Sequence, residues 1–283
     1  MGTTGTALDA DWLGLCQRSV EGLADVLAAT PSTVERARET GTRGSGGDRT
    51  LEIDSSAEAV VFDQLQALYA HGHRFSAISE ERGEVDFGGG GGVRVVIDPI
   101  DGSLNAKRDA CHYALSVAVA DGPTMADVAF GFVHDFGARE QWWARRGEGA
   151  WRDGLPLDPT LPERRSRDGR LELLGIESSD PQWVHAVIEP LTRSTRRLRA
   201  LGTIASTLCQ VAGARFDAMV TLQRCRGVDA AAGQLIVREA GGFINFADLD
   251  DPLGAPLDAT PSSRLIAARS DQTLHDLEAI RRP

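Results

Sequence analysis

The chain has 283 residues, 42% hydrophobic and 25% charged, which is ordinary for a soluble globular protein with a sizeable core. Its net charge of −11 at pH 7 argues against a nucleic-acid-binding surface and against binding to anionic lipid. The four cysteines are widely spaced without a CxxC pair, so neither a disulfide framework nor a zinc site is expected. Because no apolar run approaches a membrane span and the N-terminus lacks a signal-peptide pattern, we expect a cytoplasmic protein.

The first predicted elements are two helices separated by a glycine-rich segment. Apolar residues at helical spacing predict an amphipathic helix that ends before Pro31. The polar, glycine-rich residues 39–50 predict a mobile loop. A second helical pattern follows, in which Ser55 and Glu58 form a predicted capping box, and this box places Asp54 immediately before the helix.

Strand patterns dominate the next part of the chain. The segment FSAIS predicts a short strand that ends at Glu80, and we interpret the glycine run at residues 88–92 as a flexible hairpin connection, with phosphate cradling as the weaker alternative. The strand VVID then leads into the turn DPIDGS. After this turn, successive antiparallel strands are predicted for the segments YALSVAVAD, DVAFGFVHD and EQWWARR, and a hairpin with a glycine-rich turn is predicted for GEGAWRDGLPL.

Strands and helices alternate from about Leu171 onward. The predicted strands are LELLGI, RRLRAL, FDAMVTL and RLIAAR, each followed by a helical pattern. This change predicts an α+β half followed by an α/β half. We therefore divide the chain into residues 1–160 and residues 161–283, with a boundary near residues 155–168.

Several acids lie at the ends of predicted elements rather than on solvated faces, namely Asp54, Glu80, Asp98, Asp101 and Asp229. A single acid in such a position is more often a helix cap or a surface charge. Asp98 and Asp101 differ, because Pro99 fixes φ and Gly102 permits a turn that points both carboxylates to one side. Two close carboxylates raise each other's pKa unless a cation lies between them. Oxygen ligands without Cys or His favour Mg²⁺ or Mn²⁺, so this turn predicts a metal site.

A haloacid-dehalogenase phosphatase also has an acid pair followed by glycine and threonine or serine. In that class the second acid lies two positions after the first, whereas Asp101 lies three positions after Asp98. The companion motifs of that class are missing as well. It is the weaker interpretation of the turn.

Three ordered motifs resemble the signatures of the inositol monophosphatase and fructose-1,6-bisphosphatase superfamily. They are ISEE at residues 78–81, DPIDGS at 98–103 and GVDAAAGQLIVREAGG at 227–242. The resemblance extends from Asp54 to the strand RLIAAR. It implies a layered αβαβα sugar-phosphatase fold, a homodimer, and Mg²⁺-dependent hydrolysis of a small-molecule phosphate ester, with Mn²⁺ as a substitute metal.

The resemblance also implies a set of metal ligands. Glu80, Asp98 and the backbone carbonyl of Ile100 would bind a first Mg²⁺ ion, and Glu80 would belong to the catalytic residues. Asp98, Asp101 and Asp229 would bind a second ion, so that Asp98 bridges the two. Asp101 would contact the substrate as well.

Further roles concern the attacking water and the substrate. By resemblance, Asp54 would pair with the Ser103 hydroxyl to orient and help deprotonate the water. Backbone N–H groups of Gly102 and Ser103 would bind the phosphate, and the helix start at Gly202 and Thr203 would contact the sugar. No acid has to act as a nucleophile, because two metal ions can activate water and clamp an in-line displacement.

Members of this family can hold a third, weaker metal ion, and this sequence departs from the pattern that helps to hold it. The family's mobile loop often carries a lysine followed by an acid, but glycine occupies the lysine position here and Asp48 is displaced in register. A third ion and the strength of lithium inhibition therefore stay open. Ser103 replaces the commoner threonine and keeps the hydroxyl, so we expect activity to be retained.

The substrate is constrained by residues near Asp229. Leu222 occupies the position of a substrate-contacting glutamate in animal-type inositol monophosphatases, and Arg226 resembles an arginine of the archaeal dual-specificity branch. Arg226, with Arg224 beside it, would bind a second phosphate, while a solvated surface arginine is the alternative of equal weight. We predict inositol 1-phosphate, fructose 1,6-bisphosphate or both as substrates.

Two other functions are alternatives to this prediction. The same chemistry on 3′-phosphoadenosine 5′-phosphate, histidinol phosphate or NADP would use the same metal motifs. A catalytically degenerate sensor of sugar phosphate or metal is the non-enzymatic alternative. The complete set of acids disfavours the sensor.

Overall fold

The computed structural model of the protein describes residues 7–44, 49–88 and 92–281. These residues form alternating layers of helix, sheet, helix, sheet and helix, which confirms the predicted αβαβα arrangement. In this part of the chain no helix combines the length and the hydrophobicity that crossing a membrane requires.

The first helical layer covers one face of the larger sheet. It contains α1 (Trp12–Ala29) and α3 (Glu52–Ala70), which contact each other along their buried apolar faces. The chain between them forms α2 (Thr33–Arg36) and an antiparallel hairpin of β1 (Glu39–Arg43) and β2 (Arg49–Leu51).

The hairpin changes two predictions. The mobile loop predicted over residues 39–50 is wrong for its paired strand residues, whereas Asp48 lies outside the described residues. The predicted capping box of Ser55 and Glu58 is also wrong, because α3 begins at Glu52. Asp54 therefore lies within the first helical turn, where its carboxylate accepts a hydrogen bond from the Leu51 N–H at 3.4 Å.

The larger sheet has the strand order β10-β9-β8-β7-β6-β5-β3-β4 and is antiparallel except between β3 and β5. Its strands are β3 (Phe75–Ser79), β4 (Gly83–Phe87), β5 (Arg94–Asp101), β6 (Ala114–Ala120), β7 (Val128–Asp135), β8 (Glu140–Arg145), β9 (Gly149–Arg152) and β10 (Leu155–Pro156). The hairpin interpretation of the glycine run at 88–92 is wrong, because β3 lies between the two strands that this run connects.

The smaller sheet and the remaining helices follow in the second half of the chain. The strands are β11 (Leu174–Glu177), β12 (Leu198–Arg199), β13 (Ala218–Thr221), β14 (Phe243–Phe246) and β15 (Leu265–Ala268), in the order β12-β11-β13-β15-β14. The helices are α4 (Ser103–Lys107), α5 (Pro181–Ala186), α6 (Ile188–Ser194), α7 (Ile204–Ala212), α8 (Gly227–Glu239) and α9 (Asp271–Leu277). Helices α5, α6 and α9 contribute to the outer layer.

Helices α7 and α8 fill the space between the two sheets. They are buried on nearly every side, and their buried positions include the polar side chains of Ser206, Thr207 and Gln234 beside apolar ones. Gly131 on β7 lets α8 approach closely, because a Cβ there would lie 2.7 Å from the carbonyl oxygen of Ala232. Since both helices contact the larger sheet, the division at residue 160 stays a prediction.

Candidate active site

The five acids singled out in the sequence lie together where several elements begin or end. Asp54 lies on the first turn of α3, Glu80 follows β3, and Asp98 and Asp101 lie at the end of β5. Asp229 lies on the first turn of α8. Electrostatic repulsion links Asp98 to three of the other four carboxylates, so the cluster joins both halves of the chain.

The DPIDGS turn has the geometry that its proline and glycine suggest. A register shift between Asp98 and Asp101 interrupts the pairing of β5 with β6. At this interruption, the Asp98 carboxylate accepts a hydrogen bond from the Ile100 N–H at 3.0 Å. The Ile100 carbonyl accepts one from the Ser103 hydroxyl at 3.1 Å. Gly102 adopts φ +91°, a left-handed conformation that favours glycine and starts α4.

Asp54 and Ser103 line the same small cleft, together with Glu80, Asp98 and Ile100. The Ser103 hydroxyl donates to the Ile100 carbonyl, and Asp54 accepts from the Leu51 N–H. The pairing of Asp54 with Ser103 around a water molecule therefore stays a prediction. The cleft brings the residues proposed for water activation within one small space.

Two buried carboxylate oxygens of the cleft lack hydrogen-bond donors among the described residues. These are Asp54 Oδ1 and Asp98 Oδ2. Burial, reinforced by repulsion from Glu81 and Glu80, raises the pKa of Asp54 to about 7. Burial also raises the pKa of Asp98 well above its usual range, with further repulsion from Glu80 and other acids. Unpaired buried carboxylates are costly, and an all-oxygen donor set suits Mg²⁺ or Mn²⁺, so these two groups fit a divalent cation.

The other acids of the cluster already have protein partners. In the described part of the chain, no group of three or more His, Cys, Asp or Glu side chains is arranged to hold a metal ion. One reason is Arg226, whose guanidinium pairs with Glu80 and, at 2.9 Å, with Asp229. These carboxylates would have to exchange Arg226 for a metal ion.

Arg226 is largely buried, with a side chain only 19% exposed, so its interpretation as a solvated surface arginine is wrong. Burial disfavours its charge, but the carboxylates of Asp229, Glu80 and Asp98 raise its pKa overall. Arg224 is different, because its side chain is 64% exposed and its Nε lies 3.4 Å from Asp248. Leu222 is buried.

Asp101 is held by the segment that, by family resemblance, is predicted to contact the sugar. Its Oδ2 accepts a hydrogen bond from the Thr203 hydroxyl at 2.5 Å and another from the Ala205 N–H at 2.6 Å. Burial, with repulsion from Asp229, raises the pKa of Asp101 to about 8. The predicted residues Gly202 and Thr203 therefore lie at the acid cluster.

Sequence reasoning missed two residues that hold this segment. Glu177, at the end of β11, accepts hydrogen bonds from the N–H groups of Leu201 and Gly202, both at 3.0 Å. Asn105 on α4 donates to the Leu201 carbonyl at 2.6 Å. An acid directly after the apolar strand LLGI was the available signal for Glu177, since the same pattern identified Asp98.

Comparison with known proteins identifies the family. A model of the inositol monophosphatase family matches residues 15–281. The fructose-1,6-bisphosphatase/inositol-1-monophosphatase of Methanothermobacter thermautotrophicus is 32% identical over 243 residues, covering 82% of this chain and 83% of the relative. The Nus factor SuhB of Escherichia coli K12 is 33% identical over 220 residues, covering 76% of each chain.

Solved structures share the fold. A solved inositol monophosphatase–fructose 1,6-bisphosphatase superposes with a TM-score of 0.80 at 24% identity, covering 96% of this chain and all of the other. The extragenic suppressor protein SuhB of Bartonella henselae gives a TM-score of 0.76 at 22% identity, covering 96% and 98%. From the family match over nearly its whole length, we conclude that this chain belongs to the inositol monophosphatase family and is a phosphatase.

Proposed function

We propose that this protein hydrolyses the phosphate ester of inositol 1-phosphate, fructose 1,6-bisphosphate or both, using Mg²⁺ to activate water. The observation that carries the proposal is the cluster of five acids, in which Asp54 and Asp98 each have a buried oxygen without a donor. The relative from Methanothermobacter, named for both activities, supports this choice of substrates.

The metal ligands would come from both halves of the chain. Glu80, Asp98 and the Ile100 carbonyl would hold one ion, and Asp98, Asp101 and Asp229 would hold the other. Such ions supply a more acidic bound water and neutralise the phosphoryl oxygens.

The protein's own groups would complete the site. Asp54 would accept a proton from water, because its pKa of about 7 suits a general base near neutral pH. The N–H groups of Gly102 and Ser103 would donate to the phosphate, and Thr203 would lie beside the sugar. Arg226 would bind a second phosphate after leaving Glu80 and Asp229.

Phosphate release from a substrate panel tests the proposal. Purified protein with Mg²⁺ should release inorganic phosphate from inositol 1-phosphate or fructose 1,6-bisphosphate and should stop when EDTA is added. The panel also contains 3′-phosphoadenosine 5′-phosphate, histidinol phosphate and NADP, so that turnover of one of these alone would redirect the substrate. Metal binding without turnover of any phosphomonoester would contradict the proposed function.

The assembly and location are part of the same proposal. By family resemblance we place the enzyme in the cytoplasm as a homodimer that acts on a free small molecule. Light scattering coupled to gel filtration measures the mass in solution. A monomer of the 30.3 kDa chain mass would contradict the dimer.

A further inference from the structure

We propose that Glu177 is a positioning residue for the second metal site, acting on Asp101 through the turn at residues 201–203. The inference rests on the proposed function, since it assigns a purpose to a buried acid outside the metal-ligand set. Glu177 is 3% exposed and is the last residue of β11.

Glu177 contacts the turn through both of its carboxylate oxygens. Its Oε1 accepts hydrogen bonds from the Leu201 N–H at 3.0 Å and from the Thr207 hydroxyl at 2.6 Å. Its Oε2 accepts one from the Gly202 N–H at 3.0 Å. One carboxylate thus holds two consecutive backbone amides and a side chain of α7.

The residues that follow these two amides hold Asp101. Thr203 directly follows the amides held by Glu177, and its hydroxyl and the Ala205 N–H are the two donors to Asp101 Oδ2. A movement of the turn therefore moves both groups that orient Asp101. Asp101 is the acid assigned to the second metal ion and to the substrate.

Asn105 holds the same turn from the opposite half of the chain. Its Nδ2 donates to the Leu201 carbonyl at 2.6 Å and to the His112 carbonyl at 2.7 Å. Leu201 is thus held through its N–H by Glu177 and through its carbonyl by Asn105. This double attachment fixes the turn against the DPIDGS segment.

The geometry of the contact requires two acceptor oxygens on one side chain. A glutamine at position 177 has one acceptor oxygen, whereas the backbone N–H groups of Leu201 and Gly202 point at different oxygens of Glu177. Either orientation of the amide would direct an NH₂ group at one backbone N–H. Glu177→Gln therefore keeps the side-chain size and breaks the turn contact.

Asp217 offers a matched control within the same half of the chain. It is also 3% exposed and also accepts two backbone hydrogen bonds, from Arg164 and Leu173, both at 2.8 Å. Among the described residues, neither Arg164 nor Leu173 donates a hydrogen bond to the acid cluster, so Asp217→Asn reproduces the loss of a buried acid without disturbing the 201–203 turn.

The experiment compares Mn²⁺ binding, melting temperature and phosphate-release kinetics of wild type, Glu177→Gln and Asp217→Asn. Electron paramagnetic resonance of free Mn²⁺ gives the affinity and the number of sites. We expect Glu177→Gln to weaken one Mn²⁺ site at least about tenfold and to lower kcat/KM by a similar factor. Asp217→Asn should lower the melting temperature while leaving Mn²⁺ affinity and kcat/KM within about twofold of wild type.

Equal Mn²⁺ affinities and equal kcat/KM values in the two variants would overturn the positioning role and leave Glu177 a structural residue. If Glu177→Gln does not fold, Thr207→Val removes only one donor and should weaken the same site by about threefold; unchanged binding would overturn the inference. If the wild type releases no phosphate, the proposed function fails, but the Mn²⁺ comparison still tests the role of Glu177.

Discussion

The acid cluster has two sides that differ in how their oxygens are satisfied. On one side, Asp54 and Asp98 each keep a buried oxygen without a donor in the described part of the chain. On the other side, Asp101 is bound by Thr203 and Ala205, and Asp229 is bound by Arg226. The first side offers a cation two unpaired oxygens, whereas at the second side a cation must displace Arg226 from Asp229.

This difference indicates unequal metal sites. A cation at the first side relieves the cost of the unpaired buried oxygens of Asp54 and Asp98, although it has to displace Arg226 from Glu80. A cation at the second side has to displace Arg226 from Asp229, and it gains no unpaired oxygen from Asp101 Oδ2, which already accepts two hydrogen bonds. We therefore expect two metal ions to bind in sequence, the first tightly and the second weakly.

The largest effect is expected for Asp98→Asn, because Asp98 is the acid assigned to both ions. The amide removes a charge and an anionic ligand, so kcat should fall at least about a hundredfold. Phosphate release under saturating Mg²⁺ measures it. Near-normal activity would refute the bridging role, and an unchanged far-ultraviolet circular dichroism spectrum would show that the fold persists.

For Arg226→Gln we expect tighter metal binding, by a smaller factor than the loss of kcat in Asp98→Asn. Removing the guanidinium frees Glu80, assigned to the first ion, and Asp229, assigned to the second, so both Mn²⁺ sites should tighten, the weaker one at least about tenfold. Titration followed by electron paramagnetic resonance measures it. The fold without metal should lose stability, because the two buried carboxylates lose their partner.

Arg224→Gln is the matched control, since Arg224 is 64% exposed and pairs with Asp248 away from the acids. Its Mn²⁺ affinity should equal that of the wild type. If both arginine variants bind Mn²⁺ equally, Arg226 does not compete with the metal and the two sides of the cluster are equivalent in this respect.

The side of the cluster that contains Asp101 also gives a pH-dependent stability, because the nearby carboxyl of Glu177 is buried. Burial raises its pKa to about 7 from an ordinary value of 4.5. The folded state therefore binds the proton of the Glu177 carboxyl more tightly than the unfolded state does. The stability that this protonation contributes is fully present below pH 4.5 and is lost as the pH rises through 7. Between about pH 6 and about pH 8, the free energy of unfolding should fall by about 1.4 kcal/mol more in wild type than in Glu177→Gln. Urea unfolding measures both slopes, and equal slopes would contradict the prediction.

The smallest effect is expected for Ser103→Thr. Threonine keeps the hydroxyl that donates to the Ile100 carbonyl, so kcat/KM should stay within about threefold of wild type. Ser103→Ala removes that donor and should lose more. Should the alanine variant match the threonine variant, the hydroxyl has no part in the reaction.

The acids and most elements were predictable because their signals are local. The acids follow apolar strands or begin helices, and the DPIDGS turn carries its own proline and glycine. Strand β4 was missed because its short segment GEVDF lies at a sheet edge with weakly contrasting faces, and β14, with the segment FINF, was missed as well.

The partners of the acids were not predictable, because they come from distant parts of the chain. Arg226 meets Glu80 across 146 positions, and Thr203 meets Asp101 across 102. No periodicity encodes such contacts. The start of α3 was misplaced for a related reason, since its first turn follows a hairpin whose strand residues are mostly polar.

The contact between Gly102 and Gly202 has a consequence for recombining this protein with its relatives. A Cβ on Gly102 would lie 3.0 Å from the Gly202 carbonyl oxygen, and one on Gly202 would lie 2.9 Å from Asn105 Nδ2. Both glycines have positive φ, so other residues are disfavoured there even without these neighbours. A chimera that joins the first half of this chain to the second half of another should therefore retain function only if the other parent carries glycine at the position of Gly202.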